Sequence, residues 1–185
     1  MKTTDPQNEV FPIVNEKDKV IGKITRKKAH QNHNIIHRAV HVLIFDNKGR
    51  LLIQKRSLTK DTAPGSWCAS SSGHVGYHED YLLGAIRETK EELGIIVRPA
   101  ELELLGKILV VAPWEKEMTQ VYKVILSKKV SISPNPEEIT KIRFVDLKTL
   151  HIMLEQELWA PSDTQVLNRF VLNLNNLGTD RRYSR

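Results

Sequence analysis

Residues 73–95 read GHVGYHEDYLLGAIRETKEELGI, and this stretch decides the fold. Leu82, Ile86, Thr89 and Leu93 recur at the three- and four-residue spacing of one buried helical face, so a helix is predicted over residues 80–93. Gly94 supplies its C-terminal stop. At about 100° per residue, Glu88, Glu91 and Glu92 fall within roughly 100° of one another on a different face. Like charges at this spacing cost a helix about 0.2–0.5 kcal/mol per pair. A hard divalent cation relieves the repulsion, because Mg²⁺ takes oxygen ligands and accepts bridging substrate phosphates. A solvated acidic face is the plain alternative reading of the three residues alone.

Working outward, Val10–Val14 and Val20–Thr25 flank the polar residues 15–19 as one hairpin. Residues 39–45 and 51–54 flank Asp46-Asn47-Lys48-Gly49 as a second. Short strands are predicted over 67–70, 102–111, 119–126 and 139–145. A helix over 147–156 follows Asp146, and Ser162-Asp163-Thr164-Gln165 reads as a capping box opening a helix over 166–177. Mixed strands with few, segregated helices mean an α+β fold. Nothing between residues 10 and 177 resembles a linker, so one domain is expected over 1–185, with a core of about 10–177 and short polar tails.

The chain has 185 residues, 28 Lys+Arg and 22 Asp+Glu, for a formal charge of +6. The basic residues are scattered and only 6% of residues are aromatic, so neither a nucleic-acid block nor a stacking platform is present. A small polyanion such as a phosphate ester suits the charge better. The apolar runs are too short to span a bilayer and residues 1–9 show no secretory segment, so a cytoplasmic location is the default expectation. Cys68 is the one cysteine, which excludes an intramolecular disulfide and a cysteine-based zinc site.

Gly73, five residues, Glu79, seven residues, then Arg87-Glu88-Thr89-Lys90-Glu91-Glu92-Leu93-Gly94-Ile95 resembles the Nudix box, with Thr89 as the one departure from its pattern. The resemblance implies a loop–helix–loop on a mixed sheet, a divalent metal (Mg²⁺, with Mn²⁺ as the alternative) and cleavage of a diphosphate-linked substrate. Carried over by position, Glu88, Glu91 and Glu92 are the implied metal ligands, with Glu91 also the chosen general base. Arg87 is implied to orient them, Glu79 to be an auxiliary acid, and Gly73 to turn the backbone tightly before the helix.

A second resemblance covers residues 10–160. His30, His37, Gly73-His74, Glu115-Lys116-Glu117 and Trp67 after Pro64-Gly65 resemble type I isopentenyl diphosphate isomerase, a member of the same superfamily. That likeness implies a second metal site of His30, His37, His74, Glu115 and Glu117, which suits Mn²⁺ or Zn²⁺ as well as Mg²⁺. It also implies that Arg26, Arg56 and Lys60 grip the diphosphate. Two departures argue against isomerisation. Ser72 stands where the isomerase has its cysteine, and a hydroxyl is far less acidic than a thiol. Glu88 stands where the isomerase has a basic residue. Cys68, on a predicted strand, reads as a packed small hydrophobe, and His33, His41, His78 and His151 as surface or satisfied core residues. The expectation is therefore a metal-dependent diphosphate hydrolase of the isomerase-like branch. An isomerase with an altered catalytic pair, or a nucleotide-sensing module without turnover, are the alternatives. The expected partner is a small diphosphate substrate, with no nucleic acid and no membrane; a homodimer is left open.

Overall fold

The structure, a computed structural model, describes residues 3–32, 34–127 and 130–172. A hairpin of β1 (Val10–Val14) and β2 (Val20–Thr25) opens the chain, followed by a one-turn helix α1 (Arg26–Ala29). Asn15 closes the hairpin, its side-chain oxygen accepting from the Lys17 and Lys19 amides. Strands β3 (Ile36–Phe45) and β4 (Leu51–Arg56) follow, then β5 (Trp67–Cys68), β6 (Ser71–His74) and helix α2 (Tyr81–Leu93). A 3₁₀ turn (Pro99–Glu101) leads to β7 (Glu103–Ala112), β8 (Glu115–Ile125) and β9 (Ile139–Val145). Helices α3 (Leu147–Gln156) and α4 (Pro161–Leu167) and a π-helical turn (Asn168–Leu172) complete it.

All nine described strands join one mixed sheet. β3 is its centre: it runs parallel to β8 from Ile36↔Lys116 to Phe45↔Ile125, and antiparallel to β6 with Ala39↔His74, Val40↔Gly73 and His41↔Ser72. Alternation along β3 divides the core. Val40, Val42 and Ile44 pack with Tyr81, Ala85 and Leu93 of α2. Leu43 packs with Leu150 and Met153 of α3 and Val166 and Leu167 of α4 on the other face. By the same two-residue period His37, Ala39 and His41 share the face of Leu43.

The predicted elements mostly appear, with instructive differences. The strand expected over 67–70 is two, because β5 pairs with β4 and β6 with β3. β8 begins at Glu115 rather than 119, drawn out by its parallel pairing to β3. The capping box at 162–165 is not one. α4 starts at Pro161, whose ring sets φ for a first helical position, and Ser162 and Asp163 lie inside the helix. Asp163 instead accepts the Ala69 amide at 2.7 Å, tying α4 to the sheet. Residues 173–177 of the predicted last helix lie outside the described residues. Thr89 faces the core, fully buried, and its hydroxyl donates to the Ala85 carbonyl at 2.7 Å. No described helix is long and apolar enough to cross a membrane.

Gly94 ends α2 in the left-handed region, φ +66°, and its N–H donates to the Lys90 carbonyl. The loop at 133–135 completes the cap: Ser133 N–H donates to Leu93 O and Asn135 N–H to Glu92 O, both at 2.8 Å. A Cβ on Gly94 would lie 3.0 Å from the Ser133 carbonyl oxygen, whereas one on Gly49 (φ +76°) would meet nothing within 4 Å. Both alanine substitutions incur the left-handed strain of about 1–2 kcal/mol. Gly94→Ala also pushes on the loop that caps the glutamate helix, so urea unfolding is expected to show a larger loss for Gly94→Ala than for Gly49→Ala. Equal losses would mean that the 133–135 loop does not constrain this helix end.

Candidate active site

Helix α2 starts cleanly because Asp80 accepts the Leu83 amide at 2.8 Å. Its acidic face then meets β6. A Cβ at Gly73 would sit 2.1 Å from Glu88 Cδ, so the glycine is needed to admit that carboxylate. This corrects the expectation of a tight turn: Gly73 lies within strand β6, and its φ is not in the left-handed region. What it provides is space.

The three helix glutamates are not equivalent. Glu91 is 53% exposed at its side chain, Glu88 13%, and Glu92 is 3% exposed overall. Glu92 Oε2 accepts from Gln54 Nε2 and from the Ser72 amide, both at 3.1 Å. Arg87 ties the rest together. Its Nε and Nη2 donate to the two oxygens of Glu79 at 2.9 and 2.8 Å. Nη1 donates to Glu88 at 2.7 Å and Glu91 at 3.0 Å, and Nη2 also reaches the His74 carbonyl at 2.8 Å. Glu79 further accepts the Gly76 amide at 3.0 Å.

The electrostatics follow from this packing. Burial pushes the Glu88 carboxyl well above the usual range; Arg87 pulls it back, and Glu92 and Glu91 push it further up. Glu92 is pushed up to about 7, first by burial and then by Glu138, against the Ser71 hydroxyl, Arg56 and Lys60. Burial also opposes ionisation of Glu79, but Arg87 and the Gly76 amide hold it below the usual range. A cluster of acids made reluctant to ionise by burial and mutual repulsion is the state a divalent cation relieves.

The sheet builds a second cluster. Register sets His37 opposite Glu117 across β3–β8 and His74 opposite Ala39 across β3–β6; His30 caps α1. Glu117 Oε1 lies 3.5 Å from His37 Nε2 and 3.3 Å from His74 Nε2, and His30 Nε2 lies 3.3 Å from His74 Nε2. One ligand atom from each of His30, His37 and His74 lies within 4.8 Å of the others. Phe11 stacks on His74 at a ring separation of 4.1 Å and holds the cluster from one side. Burial would raise Glu117, but His37 and His74 hold it well below the usual range. Burial drives His74 well below its ordinary value, toward the neutral imidazole that metals bind. Both His37 nitrogens are buried without a hydrogen bond, so this donor set fits a divalent cation. Glu115 precedes Glu117 on the same face of β8; among the described residues the close group is the three imidazoles alone, and Glu117 joins it through His37 and His74 while Glu115 does not.

The predicted diphosphate cations differ in availability. Arg26 is buried, its fork bonded to Asp61 at 3.0 Å twice, with Asp5 at 3.3 Å and Glu9 at 3.6 Å. Lys60 pairs with Asp5 and, at 3.0 Å, with Glu138. Among the described residues the Arg56 guanidinium bonds only Thr62, through the carbonyl at 3.1 Å and the hydroxyl at 3.4 Å. Arg26, Arg56 and Lys60 line one open cavity of about 820 Å³, counting the solvent at its mouth, together with Glu88, Glu91 and Glu92 and, from the second cluster, His74 and Glu117. Nine carboxylates and four cationic side chains line it, a surplus of five formal negative charges in a protein of net +6.

Sequence reasoning missed several of these residues. Asp5 and Glu9, Asp61, and Glu138 come from three separate segments, and only folding brings them to Arg26 and Lys60. His41, set aside as a lone histidine, lines the cavity beside Asp163, with Nε2 3.4 Å from Asp163 Oδ1. Burial opposes its charge, but Asp163, Glu117 and Glu92 outweigh that and raise it above the ordinary imidazole value. The four-residue spacing of His37 and His41 on a strand was the available signal, since even spacing puts both on one face. Cys68 is fully buried and burial pushes its thiol well up.

The Nudix domain family model matches residues 35–170, and the chain belongs to the Nudix family. Within it the chain lies on the isopentenyl diphosphate isomerase-like branch. It is 33% identical over 168 residues to human isopentenyl-diphosphate delta-isomerase 2, covering 80% of this chain and 74% of that one. It is 32% identical over 166 residues to isopentenyl-diphosphate Delta-isomerase 1, chloroplastic, of Cannabis sativa, covering 78% of this chain and 57% of the relative. The chain thus spans little more than half the length of some curated relatives, the Arabidopsis thaliana protein at 56% among them. Among solved structures, DR0079 from Deinococcus radiodurans superposes with TM-score 0.74 at 24% identity, over 88% of this chain and 99% of that one. A MutT protein from Methanosarcina mazei Go1 gives 0.61 at 23%, over 73% and 92%. These two likenesses are of fold.

Glu92 also makes stability depend on pH. Its folded value of about 7 lies above an ordinary 4.5. The folded state therefore holds the proton more tightly, and the stability this gives is present below the ordinary value and lost as pH rises through the folded one. Glu92→Gln keeps an acceptor for Gln54 and Ser72 without the charge. In metal-free protein it is expected to melt above wild type at about pH 8 and level with it at about pH 4. A lower melting temperature at the higher pH would show that the ionised carboxylate stabilises the apo fold.

Proposed function

We propose that the protein is a divalent-metal-dependent hydrolase of a small diphosphate-linked substrate. The observation that carries the reading is the intact set of Glu79, Arg87, Glu88, Glu91 and Glu92: one guanidinium ties Glu79, Glu88 and Glu91 together, and Glu88, Glu91 and Glu92 line the same cavity as Arg56. Glu88, Glu91 and Glu92 would hold Mg²⁺, with Mn²⁺ as the alternative, and the ion supplies positive charge against the diphosphate oxygens when bound. Arg56, free of a carboxylate within ion-pair distance among the described residues, binds a phosphate oxygen by a charge-assisted bond. Glu91 is the most exposed of the three and is held by a single Arg87 bond. It takes a proton from the water that attacks phosphorus, while the bridging P–O bond breaks and its electron pair leaves with the departing phosphate. Arg87 keeps Glu91 in position, and Glu79 keeps Arg87 in position.

Phosphate release from a panel of diphosphates, with and without Mg²⁺, tests this. Activity is expected only with metal, and Glu91→Gln is expected to lower kcat by about two orders of magnitude or more, the usual worth of a general base. Arg56→Ala is expected to raise KM at least about tenfold, since a bond to a charged group contributes roughly 1.5–3 kcal/mol. Metal-independent release, or unchanged kinetics in both variants, would overturn the reading.

The His30–His37–His74–Glu117 cluster favours a second reading, isopentenyl diphosphate isomerisation, the activity named for the curated relatives. Against it, Ser72 occupies the position where the resemblance puts a cysteine, and Cys68 is sealed in the core. Wild-type protein is expected not to exchange the allylic protons of isopentenyl diphosphate in deuterated water with Mg²⁺ or Mn²⁺. Clear deuterium incorporation by NMR would make the isomerase reading the correct one.

A further inference from the structure

The cavity has an end that neither metal cluster uses. His41 projects from the middle of β3 into the cavity and is 2% exposed. Its Nδ1 has no hydrogen-bond partner, and Nε2 approaches Asp163 Oδ1 at 3.4 Å without hydrogen-bond geometry. Burying polar nitrogens unmatched is costly, so such a group in a ligand cavity points to a partner supplied from outside. Asp163, 2% exposed, spends its bond on the Ala69 amide and so stays braced against the sheet beside the imidazole. Ser162, from the same helix turn, adds a hydroxyl to the lining. Ala39 and Ala160 also line the cavity, and their small side chains leave room over the ring.

Register decides what can reach this pair. His41 lies opposite Ser72, next to Val40↔Gly73, and Gly73 is where the Glu88 carboxylate rests. Alternation puts the side chains at 41 and 73 on opposite faces of the sheet, yet both positions border one cavity, which His41 lines together with Glu88, Glu91 and Glu92, within reach of the group attached to a phosphate held there. A hydrocarbon substituent would find almost no apolar wall. Trp114 is the one phenylalanine, tyrosine or tryptophan in the lining, against thirteen charged side chains. Packed on His41 and Asp163, an alkyl chain would also strip their water without replacing it.

We propose that His41, braced by Asp163, is a specificity-determining residue that hydrogen-bonds the organic group of the diphosphate substrate. It selects substituents bearing hydroxyl or amine functions over the prenyl chain carried by the substrate in the relatives' names. The inference rests on the hydrolase reading for its reaction, but not for its binding geometry.

The test compares uridine 5′-diphosphate with geranyl diphosphate, both monosubstituted diphosphates, in wild type and in three variants: His41→Leu, His41→Gln and Asp163→Asn. Phosphate release is followed with Mg²⁺, and titration calorimetry follows the α,β-methylene analogue of each substrate. Wild type is expected to favour the nucleotide at least tenfold in kcat/KM. His41→Leu is expected to raise KM for the nucleotide at least tenfold, with kcat within a fewfold, and to leave geranyl diphosphate unchanged or improved. His41→Gln, which keeps a donor and an acceptor, is expected to recover part of the loss. Asp163→Asn, which keeps an oxygen for the Ala69 amide, is expected to raise the nucleotide KM by a smaller factor. Equal losses on both substrates in His41→Leu and His41→Gln would assign the pair a structural role and overturn the inference, as would a wild-type preference for the prenyl substrate. Should wild type release phosphate from neither, the hydrolase reading fails. The calorimetry then decides alone: weaker nucleotide-analogue binding by His41→Leu upholds the inference, and equal binding overturns it.

Discussion

The site depends on one guanidinium. Arg87 reaches three carboxylates and a carbonyl oxygen, and no other cation has a carboxylate of α2 within ion-pair distance among the described residues. Without it Glu79, Glu88 and Glu91 would share a partly buried surface with no positive charge between them, an arrangement that costs several kcal/mol when one partner of a buried pair is lost. Lysine could not take its place, since three donors on a point charge cannot serve a bidentate Glu79, two further acids and the His74 carbonyl together. Through that carbonyl Arg87 also fastens the helix to β6. The glutamate face and the histidine cluster are thereby joined, because the residue whose backbone it holds carries one of the clustered imidazoles.

Charge balance gives the next constraint. The chain as a whole is cationic, which attracts a phosphorylated solute from a distance and raises the encounter rate at low salt. The cavity it would enter is formally anionic. Arg26 and Lys60 do not correct this, because Asp5, Asp61 and Glu138 already neutralise them. A diphosphate carrying two or three negative charges gains nothing from a pair whose charges cancel. Arg56 is the exception, and one arginine cannot balance the remainder. Bound cations are the economical solution, and the two places where acids or imidazoles converge with more charge or lone pairs than their internal partners satisfy are the places that fit them.

Much of this was legible in the sequence, for local reasons. The hairpins were readable because Asn15 and Asp46 close their own turns with side-chain oxygens. Helix α2 was readable because its core stripe, its stop at Gly94 and its acidic face each obey the helical period. What the helical wheel could not give is depth. It places Glu88, Glu91 and Glu92 on one arc, but only the packing of β6 and β4 makes Glu92 buried and Glu91 exposed. Gly73 was recognised for its position and assigned the wrong reason, because the clash it avoids is with a residue fifteen places further on. Asp163 was read as part of a cap because Ser-Asp-Thr-Gln fits that pattern locally. Its partner is an amide ninety-four residues earlier, which no window of sequence contains. The acids around Arg26 are missed for the same cause.

Position 72 joins the two chemistries of this branch. The register of β6 on β3 sets Ser72 opposite His41, and its amide donates to Glu92, so a backbone group of the residue at the position where the resemblance puts a cysteine is bonded to a carboxylate of the glutamate helix. Exchanging the side chain at 72 would leave that bond intact, since the amide makes it. The same scaffold can thus hold a glutamate face and a histidine cluster, with the chemistry set by a few side chains and not by the sheet. What a proton transfer to carbon requires at this point is an acid whose pKa lies near the working pH. A serine hydroxyl does not meet that condition, and Cys68, four residues earlier, is buried beneath the site with its thiol pushed upward. The carboxylates above it meet the opposite requirement, that of acids which bind a cation in order to ionise. On the proposed reading the balance of the site lies with phosphorus chemistry, and the three histidines are the part of it that resembles the isomerase-like branch.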